Sequence, residues 1–167
     1  MTQPRSNPGA FTIIEAALST IVIGVMLVAA LNTVGASRVA QYRNADRVRG
    51  SELAASLMAE ITAQAYEDRA LALGSFGLPL AKVTGNRSKF DDVDDYHNWT
   101  ESPPQSKSGT VLAGFNGWTR NVTVKWVNPA DPTVVSAVNT GAKLITVAAS
   151  RNGVPIVRLS SVRTSAR

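Results

Sequence analysis

The chain has 167 residues, room for one modest domain and a further segment. It contains no cysteine, which excludes disulfide staples and thiolate metal sites. Its formal charge of +5 is spread thinly, with no basic run interleaved with aromatics, so no nucleic acid is expected as a partner; a hydrophobic content of 44 % argues against disorder.

Residues 1–10 hold Pro4, Pro8 and Gly9 among polar residues, with Arg5 as the one basic side chain. They have no core-forming pattern and are set aside from the fold as a leader. From Ile13 to Leu31 almost every residue is apolar, yet Glu15 lies in the first turn. A charge at the centre of a membrane helix costs roughly 2.5–3.5 kcal/mol. The cost falls near an end, but an acid there still requires a reason.

No proline occurs between Phe11 and Leu73, and the spacing predicts one long helix over that range. Its first half, 11–34, is apolar on all sides, and about 20 such residues cross a bilayer. Its second half, 35–73, becomes amphipathic: Val48, Leu53, Leu57, Met58, Ile61 and Ala65 recur at helical spacing and predict a core face. Arg47, Arg49, Glu52, Glu60 and Glu67 mark the expected wet side, and Arg38 and Arg43 extend a solvated face toward the apolar half. Gly24, Gly35 and Gly50 weaken a helix in water, but in a membrane they permit close helix approach.

Leu73-Gly74-Ser75-Phe76-Gly77-Leu78-Pro79 is a stop signal, and a loop-rich stretch is expected to about Gly109. Within it stands Asp91-Asp92-Val93-Asp94-Asp95, flanked by Phe90, Tyr96 and Trp99. Carboxylates this close repel unless something neutralises them. Three arrangements fit: a loop fixed by backbone N–H groups and arginine pairing, with Arg87 nearby; a solvated surface; or a calcium site using Asp91, Asp92, Asp94 and Asp95 as ligands. The run lacks the glycine and distal glutamate of an EF-hand. Val93 alternates out of it and is expected to face the core. His97, the only histidine, has no second nitrogen or thiolate partner for a transition-metal site and reads as a polar loop residue.

The last third predicts strands over Trp118–Val127, Lys143–Ser150 and Val154–Val162. Asn152-Gly153 joins the latter two in a tight hairpin, Asn128-Pro129-Ala130-Asp131-Pro132 is a loop, and Pro155 belongs at a strand start or edge. The predicted class is α+β, a small antiparallel sheet laid on the second half of the helix. No nucleophile elbow, phosphate-cradling glycine loop or positioned acid/base pair occurs, so the chain is not expected to be an enzyme.

Gly9-Ala10-Phe11-Thr12 followed by Glu15 and the apolar segment resembles the type IV prepilin signature of pilins, minor pilins and the pseudopilins of type II secretion. The resemblance implies that a prepilin peptidase, reading Gly9 and Ala10 at the junction, cuts just before Phe11 and methylates the new amine. A cut after Ala10 puts the glutamate at its usual fifth position; a cut after Gly9 puts it sixth. The resemblance further implies that Glu15 meets the amine of a neighbouring subunit and sets the register of assembly. It implies a lollipop layout: leader 1–10, membrane or filament-core helix half 11–34, amphipathic half 35–73, and a head over 74–167. Asp91-Asp92-Val93-Asp94-Asp95-Tyr96 also resembles a segment of minor pilins of the mannose-sensitive-haemagglutinin type.

The implied partners are the peptidase, other pilins or pseudopilins, an inner-membrane assembly platform and the bilayer. The implied place is the bacterial inner membrane in a single pass, head outside the cytoplasm, then an envelope filament: a type IV pilus or a type II secretion pseudopilus. Two alternatives stand beside this. Val34-Gly35-Ala36 before Ser37 resembles a secretory cleavage site, which would release a soluble binding domain. A membrane-anchored adhesin that never polymerises is the other. The four arginines that follow the apolar stretch oppose the implied orientation by the positive-inside tendency, although large C-terminal domains translocate despite such charges.

Overall fold

The proline-free segment forms one continuous helix, α1 (Ile13–Thr62), in the computed structural model, which describes residues 12–68, 76–79, 82–83 and 85–165. The chain divides into two compact units, one up to Asn44 and the other from Ala45 onward. In the first unit every described residue of α1 is exposed, including its large apolar side chains. The leader and the junction residues Gly9, Ala10 and Phe11 lie outside the described residues.

The second unit is α+β, as expected from the strand and helix patterns. Strands β1 (Thr100–Glu101), β2 (Trp118–Asn128), β3 (Asp131–Val135), β4 (Ala142–Arg151) and β5 (Val154–Thr164) form one antiparallel sheet. Its order is β1-β2-β4-β5, with β3 paired to β2. Period-two alternation puts Val122 and Val124 of β2 and Ile145, Val147 and Ala149 of β4 on one face. Ala54, Leu57 and Ile61 of α1 pack there with Phe90, Val93 and Tyr96. Val93 is fully buried, as its place in the acidic run predicts.

The hairpin at Asn152-Gly153 forms as predicted, with φ of 49° and 79°, the mirror-image turn whose twist matches the flanking strands. Pro155 sits at the start of β5, beside a register shift between Ala149 and Ser150. Gly50 faces the sheet, where a Cβ would come 3.1 Å from Ile156 Cγ2 and 3.2 Å from Trp118 Cζ3. Its role in this unit is close helix–sheet approach.

Several expectations need correction. The helix ends at Thr62, short of Leu73, because the chain beyond it is captured by the acidic loop. Ala65 N–H donates to the Asp91 carbonyl at 3.2 Å, and Val93 N–H donates to the Ala65 carbonyl at 3.0 Å. Val48 and Ala65 are exposed, so the core face is Leu53, Ala54, Leu57 and Ile61, with Met58 partly buried. Glu60 is not on the wet side but is turned inward against Arg87 and Tyr96. The expected loop 128–132 contains the start of β3, since Pro129 lies in the connection and Pro132 on a strand that pairs on one side only.

Candidate functional sites: the helix start and a buried charge cluster

Thr12 precedes the first helical residue, and its Oγ1 accepts from the Glu15 backbone N–H at 3.3 Å. Ala16 N–H donates to the Thr12 carbonyl at 3.1 Å. A hydroxyl followed three residues later by a glutamate is the capping-box pattern, which satisfies amide groups that a helix start leaves unpaired. This signal was present in the sequence and missed there. Glu15 also adds negative charge where the helix dipole favours it. Its carboxylate is exposed and makes no ion pair among the described residues.

The large apolar side chains from Ile13 to Val34 range from 53 % to 90 % exposed, a continuous surface far larger than a soluble monomer normally leaves open. The helix is long and apolar enough to cross a membrane. Arg38, Arg43, Arg47 and Arg49 follow it, all exposed and without ion pairs among the described residues, matching the expected solvated face.

The acidic run folds around a single 3-10 turn, Asp94–Tyr96. Asp92, Asp94 and Asp95 are buried, and Asp91 is exposed. Asp92 Oδ1 accepts from the N–H groups of Asp94 at 2.7 Å and Asp95 at 3.1 Å, and Asp95 Oδ2 accepts from Asp91 N–H at 3.1 Å. The backbone therefore orients these carboxylates.

Two lysines, not Arg87, supply the countercharge. Lys82 Nζ contacts Asp68, Asp91, Asp92 and Asp95. Lys143 Nζ, fully buried, lies 2.7 Å from Asp94 Oδ2 and 3.9 Å from the centre of the Tyr66 ring. The four proposed metal ligands are thus not gathered at one point: Asp94 turns to Lys143, while Asp68 joins Asp91 and Asp92, with one carboxylate oxygen of each within 4.8 Å of the others. Burial pushes the Asp94 carboxyl up to about 6, with Lys143 pulling the other way. Burial likewise raises Asp95 despite Lys82. Burial alone would depress Lys82, but the carboxylates of Asp91 and Asp95 reverse this and hold the ammonium charged.

Arg87 instead joins a second buried network. Its guanidinium donates to Glu60 on α1 at 2.9 Å, to Glu101 on β1, and to the Gln105 carbonyl at 3.0 Å. Arg120 on β2 donates to Glu101 and, at 3.1 Å, to the Leu53 carbonyl. His97, a loop residue as expected, accepts from Val124 N–H at Nδ1 (3.2 Å) and packs edge-on against Phe76. Burial lowers its pKa.

Comparison with protein-family models, curated proteins and solved structures finds no match for this chain.

Proposed function

We propose that the chain is a prepilin-like minor subunit, anchored in the bacterial inner membrane by the first half of α1 and assembled into an envelope filament. One observation carries this reading: an apolar helix surface, exposed on all sides, that begins at a capped turn holding a single carboxylate. From Ile13 to Val34 the helix is about 33 Å long at 1.5 Å per residue, close to the hydrocarbon thickness of a bilayer. Glu15 falls within its first turn, near the boundary rather than the centre.

Cleavage before Phe11 would leave a positive amine one helical turn from Glu15. In a low-dielectric packing of many such helices, the amine of one subunit and the carboxylate of its neighbour attract far more strongly than in water. An unpaired charge there is costly, so the pair would select one axial register. The second unit offers no arrangement for turnover that we can identify among its described residues; we assign it lateral contacts or a tip or priming surface.

The test is Glu15→Ala in the native host, scored by recovery of the subunit in sheared or secreted filaments and by its level in the membrane fraction. The proposal expects the membrane level to be kept and filament incorporation to be lost. Unchanged incorporation would contradict the register role of Glu15, and absence of the wild-type subunit from filaments would favour a membrane anchor that never polymerises.

A further inference from the structure

The sheet face opposite the core is polar and carries a cavity of about 310 Å³. Its lining residues alternate with the buried Val122, Val124, Ile145 and Val147, so period two turns them away from α1. They stand in three cross-strand rows: Asn121 beside Ala148 beside Arg158, Thr123 beside Thr146, and Lys125 beside Leu144. Val135 of β3 completes the lining, and no carboxylate is among these residues. Lys125 and Arg158 are exposed and make no ion pair or hydrogen bond among the described residues. Lys82, Arg87, Arg120, Lys143 and Arg151 each hold a carboxylate, so the fold consumes their charges and leaves these two free for a ligand.

The rows of Arg158 and Lys125 are four residues apart along β2, about 14 Å at 3.4 Å per residue. The two cations therefore bracket a floor of neutral groups. The hydroxyls of Thr123 and Thr146 and the amide of Asn121 both donate and accept, which suits a ligand rich in hydroxyls. Val135, Leu144 and Ala148 offer apolar contact to its C–H faces. A guanidinium grips a carboxylate or sulfate with two parallel bonds. The volume is at the small end of ligand sites, about 300–1,000 Å³, and suits one or two sugar rings. A nucleic acid fits less well, since no aromatic side chain lines the cavity to stack a base.

We propose that this sheet face binds an acidic glycan, a stretch of about two sugar rings. Arg158 and Lys125 take its anionic groups, and Thr123, Thr146 and Asn121 take its hydroxyls. This does not rest on the filament reading.

The experiment is calorimetric titration of the full chain, in micelles of a detergent without a sugar headgroup, at neutral pH. The probes are digalacturonate, a sulfated glycosaminoglycan disaccharide, neutral maltose, inorganic phosphate and a ten-nucleotide single-stranded DNA. At least one acidic disaccharide is expected to bind, and to bind more tightly than maltose or phosphate. Lys125→Gln with Arg158→Gln is expected to keep the wild-type melting midpoint and to weaken that binding about tenfold or more. Thr146→Val is expected to weaken the disaccharide and leave phosphate unchanged. Arg47→Gln with Arg49→Gln, which removes the same charge elsewhere, is expected to change neither. Failure of both acidic disaccharides to bind overturns the proposal, as does maltose or phosphate binding equally well. So does a loss no greater in the Lys125/Arg158 variant than in the Arg47/Arg49 variant. DNA that binds more tightly than either disaccharide and loses affinity with Lys125→Gln and Arg158→Gln overturns it in favour of a nucleic-acid surface.

Discussion

Arg87 and Glu101 form an ion pair in which both side chains are 1 % exposed. The same guanidinium reaches Glu60 on α1, so one residue ties the helix to the segment that leads into the sheet. Such a pair is worth little against an apolar replacement of both partners, but removing one partner strands the other. Arg87→Met should therefore destabilise the second unit by about 3–5 kcal/mol, read by denaturant unfolding. Glu101 retains Arg120, so the loss should lie at the lower end. Arg87→Lys should recover only part, since an ammonium cannot reproduce the forked contacts to Glu60.

Gly50 should not tolerate a large side chain. Ile156 and Trp118 already stand 3.1–3.2 Å from where its Cβ would be, and Trp118 is 1 % exposed. Gly50→Leu should cost about 1–3 kcal/mol through overpacking, despite its better helix propensity. A variant as stable as wild type would mean that α1 does not approach the sheet there.

Two titrations should tilt stability in opposite directions. His97 has a folded pKa below its ordinary 6.5, so the unfolded chain binds the proton more readily. Its contribution is fully present above pH 6.5 and is lost as pH falls through the folded value. Asp94 has a folded pKa of about 6 against 3.8, so its contribution is present below 3.8 and is lost as pH rises through about 6. Equilibrium unfolding at a series of pH values should show His97→Gln flattening the first dependence and Asp94→Asn the second. Neither variant changing its slope would contradict the burial assigned to these groups.

What could be read from the sequence was governed by short-range periodicity. The all-apolar run of α1, the Leu53–Ile61 stripe, three of the strands and the Asn152-Gly153 turn each follow from neighbours a few residues apart. The end of α1 was not legible, because Ala65 leaves the helix to bond with Asp91 and Val93, contacts that no local pattern encodes. The charge networks were hidden for a related reason. Glu60, Arg87, Glu101 and Arg120 look like surface residues one by one, and only their mutual pairing allows burial. Lys82 stands in an unremarkable stretch, and only the fold carries it to Asp68 and Asp91. Thr12 and Glu15, by contrast, were legible as a capping box but were read for the prepilin resemblance and for the charge of Glu15.

The most direct measurement is the mass and N-terminal sequence of the chain purified from its native envelope. The account predicts a protein beginning at Phe11 with a methylated amine, having lost residues 1–10. A chain that keeps those residues, or one that begins at Ser37, would contradict it.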